Sequence, residues 1–146
     1  MKKEIIRLAI GSDLDRILEI ENHSFDTPWS RESLRIEIEE NELSEVYIIE
    51  NDFDILGYMG YMKIFDEAHI TNIAIDKKYR GLGYGRKLVE EVVEKLKEED
   101  FNITLEVSEK NKAARNLYES LGFEEAGIRK DYYKIGDNAL IMWNRR

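Results

Sequence analysis

Cysteine is missing from this sequence, and its absence removes a disulfide framework, a thiolate metal site and a cysteine nucleophile in one step. Proline occurs once, at Pro28, so no proline-rich hinge divides the 146 residues, and there is no Gly/Ser linker, internal repeat or low-complexity tract. No apolar run is long enough to cross a bilayer. The opening Met1-Lys2-Lys3-Glu4-Ile5-Ile6-Arg7 is too charged for a signal peptide, so the expectation is a soluble cytoplasmic protein. Histidine is scarce: His23 and His69 are isolated from each other and from any carboxylate cluster at metal-ligand spacing, which argues against a metal site. Ser24 adjoins His23 in sequence only, which is no basis for a Ser-His-Asp triad. Basic residues are outnumbered, 22 against 31 acidic ones, and the net charge of −9 argues against broad nucleic-acid binding.

What is present has the composition of one globular domain, 1–146, with 42% hydrophobic residues in periodic runs. Residues 4–10 read as a strand ended by Gly11. Ser12 and Asp15 resemble a helix-capping pair, and Leu14, Ile17 and Leu18 recur at helical spacing to about Asn22. The stretch from Phe25 to Trp29 breaks that pattern at Pro28, and Ser30 starts a second, short acidic helix with Leu34 and Ile38 on one face. This aromatic elbow has two readings: Phe25 and Trp29 plug the core, or they wall a substrate groove.

The periodicity then becomes that of strands, at 46–49, at 55–64 after a turn at Asn51-Asp52-Phe53-Asp54, and at 68–76. Gly57 and Gly60 inside the second suggest bends. A helix follows with Leu88, Val89, Val92, Val93 and Leu96 on one side, then a strand at 103–107. A strand–helix–strand unit of this kind makes its two strands parallel. A helix from Asn111 closed by Gly122, and two strands at about 124–133 and 139–144, complete an α/β sheet that is antiparallel first and parallel in the middle.

Between the third strand and its helix lies Tyr79-Arg80-Gly81-Leu82-Gly83-Tyr84-Gly85-Arg86. Glycines tolerate φ > 0 and let backbone N–H groups face a ligand, and the opening helix adds unpaired N–H groups and a positive dipole end. Strand, glycine loop and helix together make an anion site suited to phosphate, although a plain turn is the alternative. The loop lacks the GK[ST] ending of a P-loop and the G-x-G-x-x-G of a dinucleotide site. Lys77, Lys78, Arg80, Arg86 and Lys87 crowd it without one acidic residue between them, which in an acidic chain points to an anionic ligand.

Two further residues could do chemistry. Glu106 interrupts an apolar strand at the carboxyl end of the βα unit, where open α/β sheets bind ligands and where desolvation suits a carboxylate to general-base work. A paired structural acid is the alternative. Tyr118 lies on the next helix, three residues after Arg115, with a core aromatic bearing a satisfied hydroxyl as its alternative reading.

The loop Arg80-Gly81-Leu82-Gly83-Tyr84-Gly85 resembles the Arg/Gln-x-x-Gly-x-Gly/Ala pyrophosphate loop of the GCN5-related N-acetyltransferases, and the element order is similar to that fold from end to end. Within the family the chain most resembles the bacterial ribosomal-protein-alanine N-acetyltransferases. The supporting stretches are Phe25 to Ser30, Asn72 to Asp76, Leu105-Glu106-Val107, Asn111 to Phe123 and Gly127 to Tyr133. The resemblance implies a mixed sheet with a splayed parallel pair in the middle, flanked by helices. It also implies acetyl-CoA as cosubstrate and an amine as acceptor.

By position, Glu106 matches the family's general base and Tyr118 its general acid. Ile73, Ala74 and Ile75 match the strand that pairs with pantetheine, Arg80, Gly81, Leu82, Gly83, Tyr84, Gly85 and Arg86 the pyrophosphate loop, and Asn111 a cofactor contact. The implied acceptor is the N-terminal alanine of a small-subunit ribosomal protein, entering where Phe25, Trp29, Tyr132 and Tyr133 stand. Rival readings are another acceptor amine, such as a lysine side chain or a small molecule, and a non-catalytic acetyl-CoA sensor.

Overall fold

The computed structural model describes residues 4–145. Seven strands, β1 (Ile5–Leu8), β2 (Ser44–Glu50), β3 (Ile55–Ile64), β4 (Glu67–Ile75), β5 (Asn102–Ser108), β6 (Glu124–Lys134) and β7 (Asp137–Asn144), lie in the order β1-β2-β3-β4-β5-β7-β6. The helices are α1 (Leu14–Ser24), α2 (Arg31–Glu39), α3 (Tyr84–Glu98) and α4 (Lys112–Ser120). The described residues form two compact units, 4–62 with 71–92 and 63–70 with 93–145, and strands β3 and β4 and helix α3 pass from one into the other. No helix among the described residues is long and apolar enough to cross a membrane.

In the first unit β1, β2 and β3 are antiparallel neighbours. Helices α1 and α2 lay Leu14, Ile17, Ile20 and Leu34 against Val46, Ile48, Ile55, Tyr58 and Ala74 of the strands, with Trp29 and Ile38 at the margin. Each such aliphatic side chain, fully buried, contributes roughly 1.5–3 kcal/mol. The start of α1 departs from the sequence expectation. Ser12 lies in a 3-10 turn, Gly11–Asp13, and the next residue, Asp13, is the one engaged: it accepts the Ile10 N–H (2.8 Å) and two hydrogen bonds from Arg7. The start signals of α2 and α4 hold, since Ser30 accepts from Ser33 N and Asn111 from Ala114 N.

Gly57 and Gly60 of β3 are close-approach positions. Neither has positive φ. A Cβ at Gly57 would stand 2.6 Å from the Ala74 carbonyl oxygen and 2.4 Å from Ile75 Cδ1, and one at Gly60 would stand 2.7 Å from Asn72 Oδ1. The β2/β3 ladder also carries an irregularity beside Gly57, where Ile49 pairs with Gly57 but Glu50 with Ile55.

In the second unit β4 and β5 pair in parallel from Glu67↔Asn102 to His69↔Thr104, as the strand–helix–strand order predicts. Beside them β5 pairs antiparallel with β7, and β7 with β6. The β6/β7 ladder is interrupted between Arg129 and Lys134. Asp131 there takes φ 54, which aspartate tolerates better than most residues. Its N–H donates to Asn138 Oδ1 (2.8 Å), and its carboxylate accepts the Gly136 N–H (2.7 Å). This irregular segment carries Tyr132 and Tyr133.

Candidate acetyl-transfer site

The first unit supplies a strand end, a loop and a helix start. Asp76 follows β4 directly: its N–H bonds to the Leu56 carbonyl (2.7 Å) and its carboxylate caps the 3-10 turn Lys77–Tyr79 through Lys78 N (2.9 Å). Arg16 of α1 joins this corner to the β2–β3 turn, donating to Asp76 (2.7 Å), to Asp54 (2.9 Å) and to the Ile55 carbonyl (3.1 Å), while Tyr79 OH also reaches Asp54 (2.9 Å). Burial alone would push both carboxyls up. The Arg16 bonds, with Tyr79 on Asp54 and Lys78 N–H on Asp76, hold both below the usual range.

Arg80 folds back on this corner, its Nε donating to the Ile75 carbonyl (2.8 Å) and its Nη2 to Ser24 Oγ (3.0 Å). Gly81 (φ 78) and Gly83 (φ 88) then turn the chain through left-handed conformations. A Cβ at either would meet no atom within 4 Å, so the backbone is open on its outer side. Helix α3 begins at once with Tyr84, so Gly85 belongs to the first helical turn and the loop is shorter than the spacing of three glycines suggests. Arg86 and Lys87 stand on that turn, 3.9 Å from Glu90 and 3.8 Å from Glu4 respectively.

The elbow between α1 and α2 is extended at Phe25, which is 38% exposed, whereas Trp29 packs at the margin of the core. The Trp29 N–H is held by the buried carboxylate of Glu21 (2.9 Å).

The second unit holds Glu106 and Tyr118. Glu106, opposite Ile141 of β7, has a side chain only 12% exposed. Its Oε1 is 3.7 Å from His69 Nε2 of β4 and 3.6 Å from Arg129 Nε of β6. Tyr132 hydrogen-bonds to Glu106, which raises the Tyr132 pKa, and the Arg129 guanidinium lies 5.6 Å from the Tyr132 ring centre. Tyr133 meets Tyr132 edge-to-face at 5.0 Å, and burial followed by the Glu106 charge pushes its pKa up to about 12. Tyr118 is buried on α4 edge-on to Phe123 (5.7 Å), and burial, then the neighbouring Tyr133, raises its pKa to about 12. It is therefore a protonated donor at any physiological pH. Arg115, one turn earlier, is tied to the Glu109 carbonyl (2.9 Å) and to Glu125 (3.1 Å).

The model of the Acetyltransferase (GNAT) family matches residues 14–123. The chain belongs to that family. It is an N-acetyltransferase of α/β architecture, with a mixed seven-stranded sheet. It is 43% identical, over 97% of its length and 95% of the relative's, to a Bacillus subtilis protein provisionally named a [ribosomal protein bS18]-alanine N-acetyltransferase. A Haemophilus influenzae protein named for that activity is 40% identical over 94% of this chain and 96% of its own. The crystal structure of the ribosomal-protein-S18-alanine N-acetyltransferase from Escherichia coli superposes with a TM-score of 0.90 at 30% identity, covering 99% of this chain and 96% of that one.

Within this acetyltransferase, Ile73 to Ile75, the loop to Arg86, Phe25 and Trp29 belong to the first unit, and Glu106, Asn111, Tyr118, Tyr132 and Tyr133 to the second. Arg16 bonds to Asp76, between the Ile73–Ile75 stretch and the loop, and Glu106 meets Tyr132 of the last hairpin. Asn111, expected as a cosubstrate contact, uses its side-chain oxygen to cap α4. Sequence reading missed Arg16, Asp54 and Asp76 as the support beneath the loop, and Arg129 and His69 as neighbours of Glu106. An arginine on the polar side of an amphipathic helix carries no local signal of a partner sixty positions away.

Proposed function

We propose that the enzyme moves an acetyl group from acetyl-CoA to the N-terminal α-amine of a protein, that of the alanine beginning a small-subunit ribosomal protein. The names of the relatives at 43% and 40% identity support this acceptor. The observation that carries the chemistry is Glu106, a carboxylate only 12% exposed, in the same unit as Tyr118, whose pKa of about 12 keeps it a donor.

The residues fit a pyrophosphate-bearing cosubstrate. Gly81 and Gly83 present open backbone, and the start of the 15-residue helix α3 adds its positive dipole end, with Arg86 and Lys87 on its first turn. Bound acetyl-CoA supplies an activated acetyl group. With no cysteine to carry that group, transfer is direct from thioester to amine.

An α-amine has a pKa near ~8 in model peptides, so most of it is protonated at neutral pH and must lose a proton before attack. Glu106 takes that proton, and Arg129 and His69, both facing Oε1, orient it. Backbone N–H groups of Ile73 to Ile75 steady the oxyanion. Tyr118 serves the leaving thiolate. Because an ordinary thiol has a pKa of about 8.5, a phenol at about 12 stabilises the thiolate chiefly by donating a hydrogen bond.

The test is CoA release from acetyl-CoA with a short peptide beginning Ala-Arg, the same peptide with a blocked N-terminus, a lysine peptide and spermidine. Turnover confined to the free α-amine is expected. Turnover of the blocked lysine peptide or of spermidine alone would overturn the acceptor assignment.

A further inference from the structure

Glu21 is the most deeply buried carboxylate in the first unit, 1% exposed, and the mechanism above does not use it. Its three side-chain partners are all neutral donors. Oε2 accepts the Trp29 backbone N–H (2.9 Å); Oε1 accepts the Tyr58 hydroxyl in a short hydrogen bond and the Asn72 amide at 3.4 Å, and that amide also lies 3.3 Å from the Tyr58 oxygen. Burial pushes the Glu21 carboxyl up, and the bonds from Trp29 and Asn72 act against it.

A buried carboxylate held only by neutral donors is an expensive way to fill a core, where an apolar side chain of similar size would pack more cheaply. Helix α1 places Ile17 and Ile20 in that same core. The residue that holds the elbow is therefore the costly one. Between Phe25 and Ser30 the elbow is exposed except at Trp29, and the Trp29 N–H finds its acceptor in Glu21. Asn72, which helps hold the carboxylate, directly precedes the Ile73–Ile75 stretch. Gly60 leaves room for its side chain, since a Cβ there would stand 2.7 Å from Asn72 Oδ1.

We propose that Glu21 is a positioning residue for acceptor binding: its carboxylate fixes Trp29 through the backbone N–H, and Tyr58 and Asn72 fix the carboxylate. This rests on the reading of the elbow as a wall of the acceptor site. Glu21→Met removes every acceptor, Glu21→Gln keeps one for the Trp29 N–H, and Tyr58→Phe removes only a donor to the other oxygen.

The experiment places these variants in a Trp143→Phe background, where Trp29 is the remaining tryptophan of two. Glu21→Met is expected to red-shift Trp29 emission and raise its acrylamide quenching. It should also raise the KM for the Ala-Arg peptide about tenfold, the worth of one hydrogen bond to a charged acceptor, with the KM for acetyl-CoA within about twofold. Glu21→Gln and Tyr58→Phe should restore near wild-type quenching and peptide KM. In the wild-type protein the Trp29 amide should exchange slowly with solvent although its neighbours exchange fast.

Unchanged quenching in Glu21→Met, a fast-exchanging Trp29 amide, or both KM values rising in step with a loss of Tm would overturn the proposal. If the unmodified enzyme acetylates no α-amine, the acceptor reading falls, while emission and amide exchange still decide whether Glu21 fixes Trp29.

Discussion

At the scale of single residues, the carboxylate proposed as the base is distinguished by its neighbours more than by its burial. Glu106 has one oxygen facing both Arg129 and His69, at 3.6 and 3.7 Å, before any acceptor arrives. Glu106→Gln keeps shape and hydrogen-bonding reach but cannot take a proton. It is expected to lower kcat by about 10²–10⁴ while leaving acetyl-CoA binding, measured by calorimetry, near the wild-type value. Retained turnover would remove Glu106 from the base role. Tyr118 gives a different signature. With a pKa of about 12 it stays protonated across the working range, so Tyr118→Phe should lower kcat by the same factor at pH 7 and at pH 9.5. A deficit that vanishes at the higher pH would mean that the phenol ionises earlier than its burial implies.

At the scale of elements, the loop depends on how closely β3 and β4 approach just before it. Gly57 permits that approach, because any Cβ there falls within 2.6 Å of the Ala74 carbonyl oxygen, which is backbone and cannot swing aside. Gly57→Ala is expected to destabilise the protein by about 1–3 kcal/mol, the usual cost of overpacking, and to raise the KM for acetyl-CoA, since Ala74 lies in the strand proposed to pair with it. Gly85→Ala makes a useful contrast for stability alone. Gly85 lies inside α3 and its added Cβ comes only to 3.4 Å from Ile75 Cγ1, so alanine should match or raise the wild-type Tm through its better helix propensity. Thermal unfolding of the pair would separate close approach from backbone freedom.

At the scale of the whole molecule, acid sensitivity follows from the paired carboxylates. Asp13 accepts two hydrogen bonds from Arg7 (2.9 and 3.1 Å), and that pairing outweighs burial to hold its pKa below the ordinary value. A depressed carboxylate gives stability that is fully present above its unfolded pKa, about 3.9, and is lost as pH falls through the folded value. Asp13→Asn should therefore cost about 2 kcal/mol at pH 7, and the gap to the wild type should close below about pH 4 in urea titrations. A gap independent of pH would assign the loss to packing. The net charge of −9 acts at this scale too: the proposed acceptor, if its tail is basic, should show a KM that rises with added salt.

Most of the element order was legible in the sequence because periodicity and turn chemistry are local. The Asn51 turn forms as its residue types predict, with Asn51 Oδ1 accepting from Phe53 and Asp54 N–H, and the α3 stripe of Leu88, Val89, Val92, Val93 and Leu96 is buried. Ser12 was misread as a cap because the competing group, Asp13, is recruited by Arg7 across the β1–α1 connection. The β6 irregularity at Asp131 left no trace in a run that alternates poorly. By itself the sequence determined which chemistry was possible: no thiol, one acidic residue inside an apolar strand, and a glycine-rich turn before a helix. Only the tertiary structure decided which polar groups face one another, setting Tyr58 against Glu21 across 37 positions and Asp76 against Arg16 across 60. Hydrophobic patterning says which face of an element is buried, whereas the partner of a polar group depends on where strand register and helix docking finally place it.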